Sequence, residues 1–407
     1  MSSAPPGALV KGTAVTVHGL QSRADLNGSD GVLATAFEDG RYGVKVGQAA
    51  PLRIKADNLM PRQSSQGLHL SDNAVETIQR ANVPQLAWVL TEFGPSSSEF
   101  AELALLYACV LFSPEQVGSP PIWSRDGTQN VADFLRASGH LGVLRTMDAH
   151  IDNPTVQERG VQQMMTLVTN EQSALRSTDA VNAAGGAAAC VRAMRMHPSH
   201  EGVQTFGCRL LMNLSCSERI GEETGGPTAA KRAVFAAGGI EVALAAIAAF
   251  PRRDELLQPA LKGCAYVVMS YAEAAQAAIA ADAPRCVVKL LHEMQVGDET
   301  LGQACQLLAN LCFGSTADSD SLAACALAVV GAGAIPTICA AMRARGHAAP
   351  LVDCGCVALH NLAGLGYAAA CREAGAGALV DAALMLHPTL STRVQMLADA
   401  LAASPEV

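Results

Sequence analysis

Histidine pairs, cysteines and three regularly spaced asparagines are the residues of this chain whose types and spacing could do chemistry. His197-Pro-Ser-His200 could offer two imidazoles to zinc. No cysteine pair accompanies it, and His-Pro recurs at His387-Pro388 in text that reads as a helix end, so the expectation is a turn. Cys354 and Cys356 fall on different faces of a helix and do not share a metal. Gly331-x-Gly333 and Gly375-x-Gly377 are pieces of a dinucleotide fingerprint without its preceding strand or its third glycine. The sequence contains no P-loop, nucleophile elbow or His-Glu-x-x-His. The expectation is therefore no catalytic residue, no metal and no cofactor, in a protein that is not an enzyme.

Asn213, Asn310 and Asn361 stand 28 positions after Gly185, Asp282 and Gly333 respectively. Leu-Met-Asn213-Leu returns as Leu-Ala-Asn310-Leu and Leu-His-Asn361-Leu, and Ala-Gly-Gly-Ile at 237–240 as Ala-Gly-Ala-Ile at 332–335. Each Asn shares a segment with an apolar stripe at i, i+3, i+4 and i+7: Gly207, Leu210, Leu211, Leu214, then Ala304, Leu307, Leu308, Leu311, then Gly355, Ala358, Leu359, Leu362. This is one helix face, small at its first position where another helix comes close. At about 100° per residue the Asn lies roughly 110° from the stripe's centre, outside its own unit's core. An amide needs hydrogen-bond partners wherever it sits. Two readings stand open: contact with a partner chain, or satisfaction of loop and neighbouring-helix backbone. Arg209 and Gln306 precede two of the asparagines by one turn, and Val357 precedes the third.

The elements that position these residues repeat. Self-similar helical text with a period of roughly 40–47 residues marks units that bury their apolar faces only by stacking. The Ala-Gly mark places anchors at Ala81, Gly139, Gly185, Gly238, Asp282, Gly333 and Gly377, with excess length in polar text at 113–130, 221–228 and 315–321. Thr166 and Met269 take the Asn position in two further units.

The 407 residues are half apolar, 16% charged and 4% aromatic, so Ala, Leu, Val and Cys must build the core. Residues 1–62 carry a net charge of +2 and residues 63–407 carry −11. An acidic body repels phosphate, which disfavours nucleic acid as partner and allows basic peptides. The 13 cysteines lie in apolar periodic text from Cys109 onward and predict free thiols acting as small hydrophobes in a reducing, cytoplasmic compartment, with nuclear entry left open. No secretory signal pattern opens the chain. Leu322 to Met342 is a stretch of 21 residues without a charge, read as two buried helices rather than a membrane span because Ala and Gly are weakly apolar.

Residues 11–60 read as short strands instead: 13–17, 32–37, 42–46 and 52–54, with a hairpin signal at Glu38-Asp39-Gly40-Arg41 and a turn at Asn27-Gly28. The expected organisation is a small β-barrel over 1–62, a linker over 63–72 and a helical solenoid over 73–403.

On His18 to Gly28, Gly40-Arg41-Tyr42-Gly-Val and Lys55-Ala-Asp-Asn58-Leu59, the first part resembles small SH3-like modules. That resemblance implies an interaction or packing module, here without the Trp-containing groove that grips Pro-rich ligands. On Gly-Ala-Ile-Pro336 at a helix start and Asn-Leu in the last helix, residues 73–403 resemble the armadillo repeat family. The resemblance implies a mainly α, right-handed superhelix of about six to seven repeats. In many such proteins the Asn binds the backbone of an extended peptide in the concave groove, and this implies the same role for Asn213, Asn310 and Asn361, flanked by Arg209 and Gln306. Import adaptors place Trp where this chain has Arg209, Gln306 and Val357, which disfavours import of basic signals.

The expected function is a non-catalytic scaffold or adaptor that holds a protein or peptide partner along its concave surface, without membrane contact and with oligomeric state open. The alternatives are an assembly subunit of a larger complex, or an enzyme of unfamiliar type.

Overall fold

Alternation of large apolar and charged residues is what makes the first segment a sheet: Tyr42, Val44 and Ile54 are buried while Arg41, Lys45, Arg53 and Lys55 face water. The computed structural model describes residues 14–34, 41–46, 51–61, 78, 81–112, 127–169, 174–216, 228–313 and 319–403. Five strands, β1 (Ala14–Val17), β2 (Asp30–Leu33), β3 (Arg41–Val46), β4 (Leu52–Lys55) and β5 (Leu59–Pro61), form one antiparallel sheet in the order β4-β3-β2-β1-β5. Tyr42 pairs with Ile54 and Thr16 with Met60. Its core is Val17, Tyr42, Val44, Ile54 and Leu59. The expected barrel is corrected to a sheet, because β4 and β5 are its two edges and are not paired with each other among the described residues. Sequence alternation missed β5, which is three residues long and ends in Pro61. The turn at Asn27-Gly28 is present: Gly28 has φ +85°, and the Asn27 amide clasps both backbone groups of Leu20, at 2.8 and 3.0 Å.

Residues 38–40 of the hairpin tip, the 63–72 linker and most of the three polar insertions (113–126, 221–227 and 315–318) lie outside the described residues.

From residue 83 the chain is helical. A pair, α1 (Val83–Glu92) and α2 (Ser98–Phe112), precedes six three-helix units. These are α3 (Gly127–Arg136), α4 (Gly139–Ala149) and α5 (Pro154–Thr169); α6 (Ala174–Ala183), α7 (Gly186–Met196) and α8 (Glu201–Ser215); and α9 (Ala229–Ala237), α10 (Gly239–Ala249) and α11 (Asp254–Val268). Then come α12 (Ala272–Ala280), α13 (Ala283–Glu293) and α14 (Asp298–Leu311); α15 (Ser319–Gly331), α16 (Ala334–Ala344) and α17 (Ala349–Leu362); and α18 (Ala368–Glu373), α19 (Ala376–Leu386) and α20 (Ser391–Ala403).

One left-handed residue turns each first helix into its second: Ser138, Gly185, Gly238, Asp282, Gly333 and Gly375, with φ between +60° and +86°. Each also donates its N–H to a carbonyl three residues back, as Gly185 does to Asn182 at 3.0 Å and Gly333 to Val330 at 2.8 Å. This conformation corrects three anchors. Gly139 and Gly377 lie inside helices, the true turning residues being Ser138 and Gly375, and the first helix starts after Asn82, which caps it, rather than at Ala81. Gly139 is small for another reason, since a Cβ there would lie 2.5 Å from the Phe134 ring.

The stripes are core. Leu210, Leu211, Leu214, Leu307, Leu308, Leu311, Leu359 and Leu362 are all buried. The small first residue of the stripe receives a side chain from the second helix: a Cβ on Gly207 would meet Met194 at 2.6 Å, and one on Gly355 would meet Met342 at 2.7 Å. Where the stripe opens with Ala260 or Ala304, the residue at the Met position is Ile247 or Leu291.

Third helices α5, α8, α11, α14, α17 and α20 stand side by side along the array, while the second helices of successive units touch far less. Units closer on one side curve toward that side, so the third helices line the inner face. The charge-free stretch 322–342 is parts of α15 and α16, bent by 58° across Gly333. By length and composition alone, Ala349–Glu373 is the one described helical run able to cross a membrane; it breaks at Gly366, with φ +98°, and contains Asp353, His360 and Asn361.

Candidate functional site

Each asparagine sits near the end of a third helix, beside the last turn of the preceding third helix, where Ala265 O and Ala309 O accept a cap N–H and have a second lone pair for a side-chain donor. Asn310 Nδ2 donates to Ala265 O at 2.9 Å, and Asn361 Nδ2 donates to Ala309 O at 2.9 Å. Asn213 Nδ2 reaches the same end of α5 through Thr169 Oγ1 at 3.0 Å. All three amides therefore clasp one unit to the one before it.

They are not equivalent toward solvent. Asn310 is only 7% exposed, and its Oδ1 accepts from Gln306 Nε2 at 2.7 Å, so both ends of the amide serve the fold. Gln306 Oε1 in turn accepts from Cys354 Sγ at 3.6 Å. Asn213 and Asn361 are half-buried, and among the described residues no donor meets their Oδ1. Arg209 is half-buried, with no hydrogen bond or ion pair among the described residues.

Superposing the units on their turning residues corrects one further position. Tyr266, not Met269, occupies the Asn place of the third unit, since Ala265 and Ala309 accept the asparagine bonds at matching places; Met269 is the cap that follows α11. The residue one turn earlier is Lys262, whose Nζ lies 5.8 Å from the Tyr266 ring centroid. Sequence counting hid this pair, although Lys-x-x-x-Tyr at the Asn register was the signal that could have found it.

His197-Pro-Ser-His200 is the expected turn, with exposed Pro198 and Ser199 and His200 N donating to His197 O at 3.1 Å, and His197 also ties two units together. Its Nε2 contacts Ile151 O at 2.7 Å in the unit before. His150 Nε2 does the same to Gly94 O at 2.8 Å and His387 Nε2 to Gly346 O at 2.7 Å, and Arg345 fills the role with Met294 O at 2.6 Å and Val296 O at 3.0 Å. His200 caps α8 through its Nδ1, on Val203 N at 3.4 Å. Among the described residues no group of three or more His, Cys, Asp or Glu side chains is placed to hold a metal.

All thirteen cysteines are free thiols and ten are buried. Burial pushes up the pKa of nine of these ten, that of Cys264 to about 12, so those nine stay protonated and act as packing groups.

Two open cavities of about 510 Å³ lie away from the asparagines. One runs between α10 and α13 on the outer face, floored by Leu244, Ile247, Ala248 and Leu290. The other is on the sheet, with Arg23, Arg41, Arg53 and Lys55 around Leu20 and Leu52.

No family model matches this chain, and no curated protein matches it. Solved structures do resemble it. An engineered protein superposes with TM-score 0.62 at 20% identity, covering 82% of this chain and 72% of its own. A designed armadillo repeat protein in complex with the peptide (KR)4 superposes with TM-score 0.51 at 16% identity, over 69% of this chain and 99% of its own. Computationally designed armadillo repeat proteins for modular peptide recognition give the same TM-score, identity and coverage. The helical part of the chain is an armadillo-like repeat solenoid.

Proposed function

We propose that the protein is a non-catalytic, peptide-binding scaffold whose partner lies along the third-helix face of a right-handed superhelix. The observation that carries this reading is the row of half-buried polar side chains on that face. Among the described residues nothing bonds the amide oxygens of Asn213 and Asn361 or the guanidinium of Arg209, which suits them to a foreign backbone N–H and to a foreign acceptor. Long inner surfaces of this kind bind by summing many small contacts. The peptide-bound designed solenoid of similar fold supports the reading. Asn310 belongs to the framework of the site rather than its contact surface. The buried, protonated thiols support a reducing, cytoplasmic setting, and we read the sheet as an SH3-like interaction or packing module.

The test is selection from a displayed random peptide library on the full chain, followed by affinity measurements on Asn213→Ala and Asn361→Ala. Loss of roughly one hydrogen bond per site, about 0.5–1.5 kcal/mol each, is expected. Peptides that bind equally well to both variants would move the site off this face.

A second reading, a built-in subunit of an assembly, is favoured by Met385 and Leu386, which are 77% and 61% exposed. At the Met385 place four of the other five units carry Asp148, Arg195, His292 and Arg343, and the third carries the small Ala248. Concentration-dependent association that Met385→Arg abolishes would support that reading.

A further inference from the structure

The position one turn before the Asn place reads Gln162, Arg209, Lys262, Gln306, Val357 and Asp399 along the six units. Two cations thus occupy the same register on successive third helices, in a body whose net charge is −11 beyond residue 62. Elsewhere the cations of the array are commonly paired, as in Arg192–Asp148, Arg253–Glu201, Arg345–Asp298 and Arg393–Asp353. Arg209 and Lys262 have no carboxylate partner among the described residues. Lys262 is held along the face by Tyr266.

Gly263 brings the two close. A Cβ on it would lie 3.2 Å from the Cα of Met212, so α8 and α11 approach backbone to side chain at the level of these cations. Helices in such contact lie about 8–10 Å apart. An extended chain advances about 3.3 Å per residue, so acidic side chains two or three residues apart reach both heads.

We infer that the inner face of the second and third units takes an acidic extended peptide, its carboxylates on Arg209 and Lys262 and its backbone on Asn213. This rests on the scaffold reading above and reverses the preference for basic peptides that net charge alone suggests. Local potential at a groove is set by the charges lining it.

The experiment is fluorescence anisotropy on the full chain with labelled peptides of repeating Glu-Ser-Leu, repeating Gln-Ser-Leu and (KR)4, and with single-stranded oligothymidylate. The Glu peptide should bind, more weakly as salt rises. The R209A/K262A pair should weaken it roughly tenfold or more, and R209E/K262E should abolish it and admit (KR)4. Thermal midpoints should hardly move, since neither head has a carboxylate partner among the described residues and the Lys262–Tyr266 contact is a weak one.

Equal binding of the Gln peptide or (KR)4 to the unaltered protein would overturn the acidic assignment and leave the scaffold reading standing. Tighter binding of oligothymidylate through the same two residues would assign the face to nucleic acid. Glu-peptide binding that survives R209A/K262A but is lost in R41A/K55A would move the site to the sheet cavity. If no peptide of any charge binds and library selection returns none, both readings fall.

Discussion

Single side chains here answer to their neighbours more than to their own chemistry. Asn310 donates to Ala265 O from a buried site and accepts from Gln306, so Asn310→Ala removes one of two bonds to that carbonyl, the other coming from Met269 N, and takes the acceptor from the Gln306 amide. We expect that substitution to cost about 1–3 kcal/mol, and Asn213→Ala about 1 kcal/mol or less because its bond is half solvated. Urea titrations of the two variants check this; equal losses would mean the clasps are equivalent. Beside the sheet, His18 is half-buried with neither ring nitrogen hydrogen-bonded among the described residues, and desolvation lowers its pKa below the usual 6.5 against a weaker opposing pull from Asp57. The folded module therefore holds the neutral ring while the unfolded chain takes a proton near 6.5. Its stabilising effect is full above that pH and is lost as pH falls toward the folded value. Hydrogen exchange of residues 14–61, corrected for intrinsic rates, should show less protection at pH 5 than at pH 7, and the difference should shrink in His18→Phe.

At the scale of the element, the turning residue decides where one helix stops and the next begins. Gly185 has φ +86° and open space around its missing Cβ, so replacement by Ala meets only the backbone penalty of the left-handed region, about 1–2 kcal/mol. Ser138 and Asp282 already bear that strain. Ser138→Gly should therefore be neutral or mildly stabilising while Gly185→Ala lowers the thermal midpoint. A loss in both would show that side-chain contacts, not backbone conformation, govern the turn. The stripe with its small first residue was legible in the sequence because a helix repeats every 3.6 residues and its apolar face must be covered. The anchors at Gly139 and Gly377 misread because Gly is also used for close packing, and text alone does not separate that use from a positive φ.

For the molecule as a whole, stability is passed from unit to unit. Leu308 is buried in α14, between α11 and α17, and Leu308→Ala should cost roughly 2–5 kcal/mol. Protection from hydrogen exchange should fall in all three helices, while residues 14–61 keep theirs. A loss confined to α14 would contradict stacking as the source of stability. A loss shared with the sheet would contradict its independence from the array.

The sequence by itself determined the helical array, its core stripes and the recurrent asparagines, because period and spacing are local properties that every unit repeats. It also marked four of the five strands through alternation. Only the tertiary structure decided that the asparagines bind the preceding helix end, that His150, His197 and His387 tie units together, and that Lys262 and Tyr266 continue the register of Arg209 and Asn213. Those contacts span about one unit in sequence, and the partners are mostly backbone carbonyls, which carry no residue identity to be read.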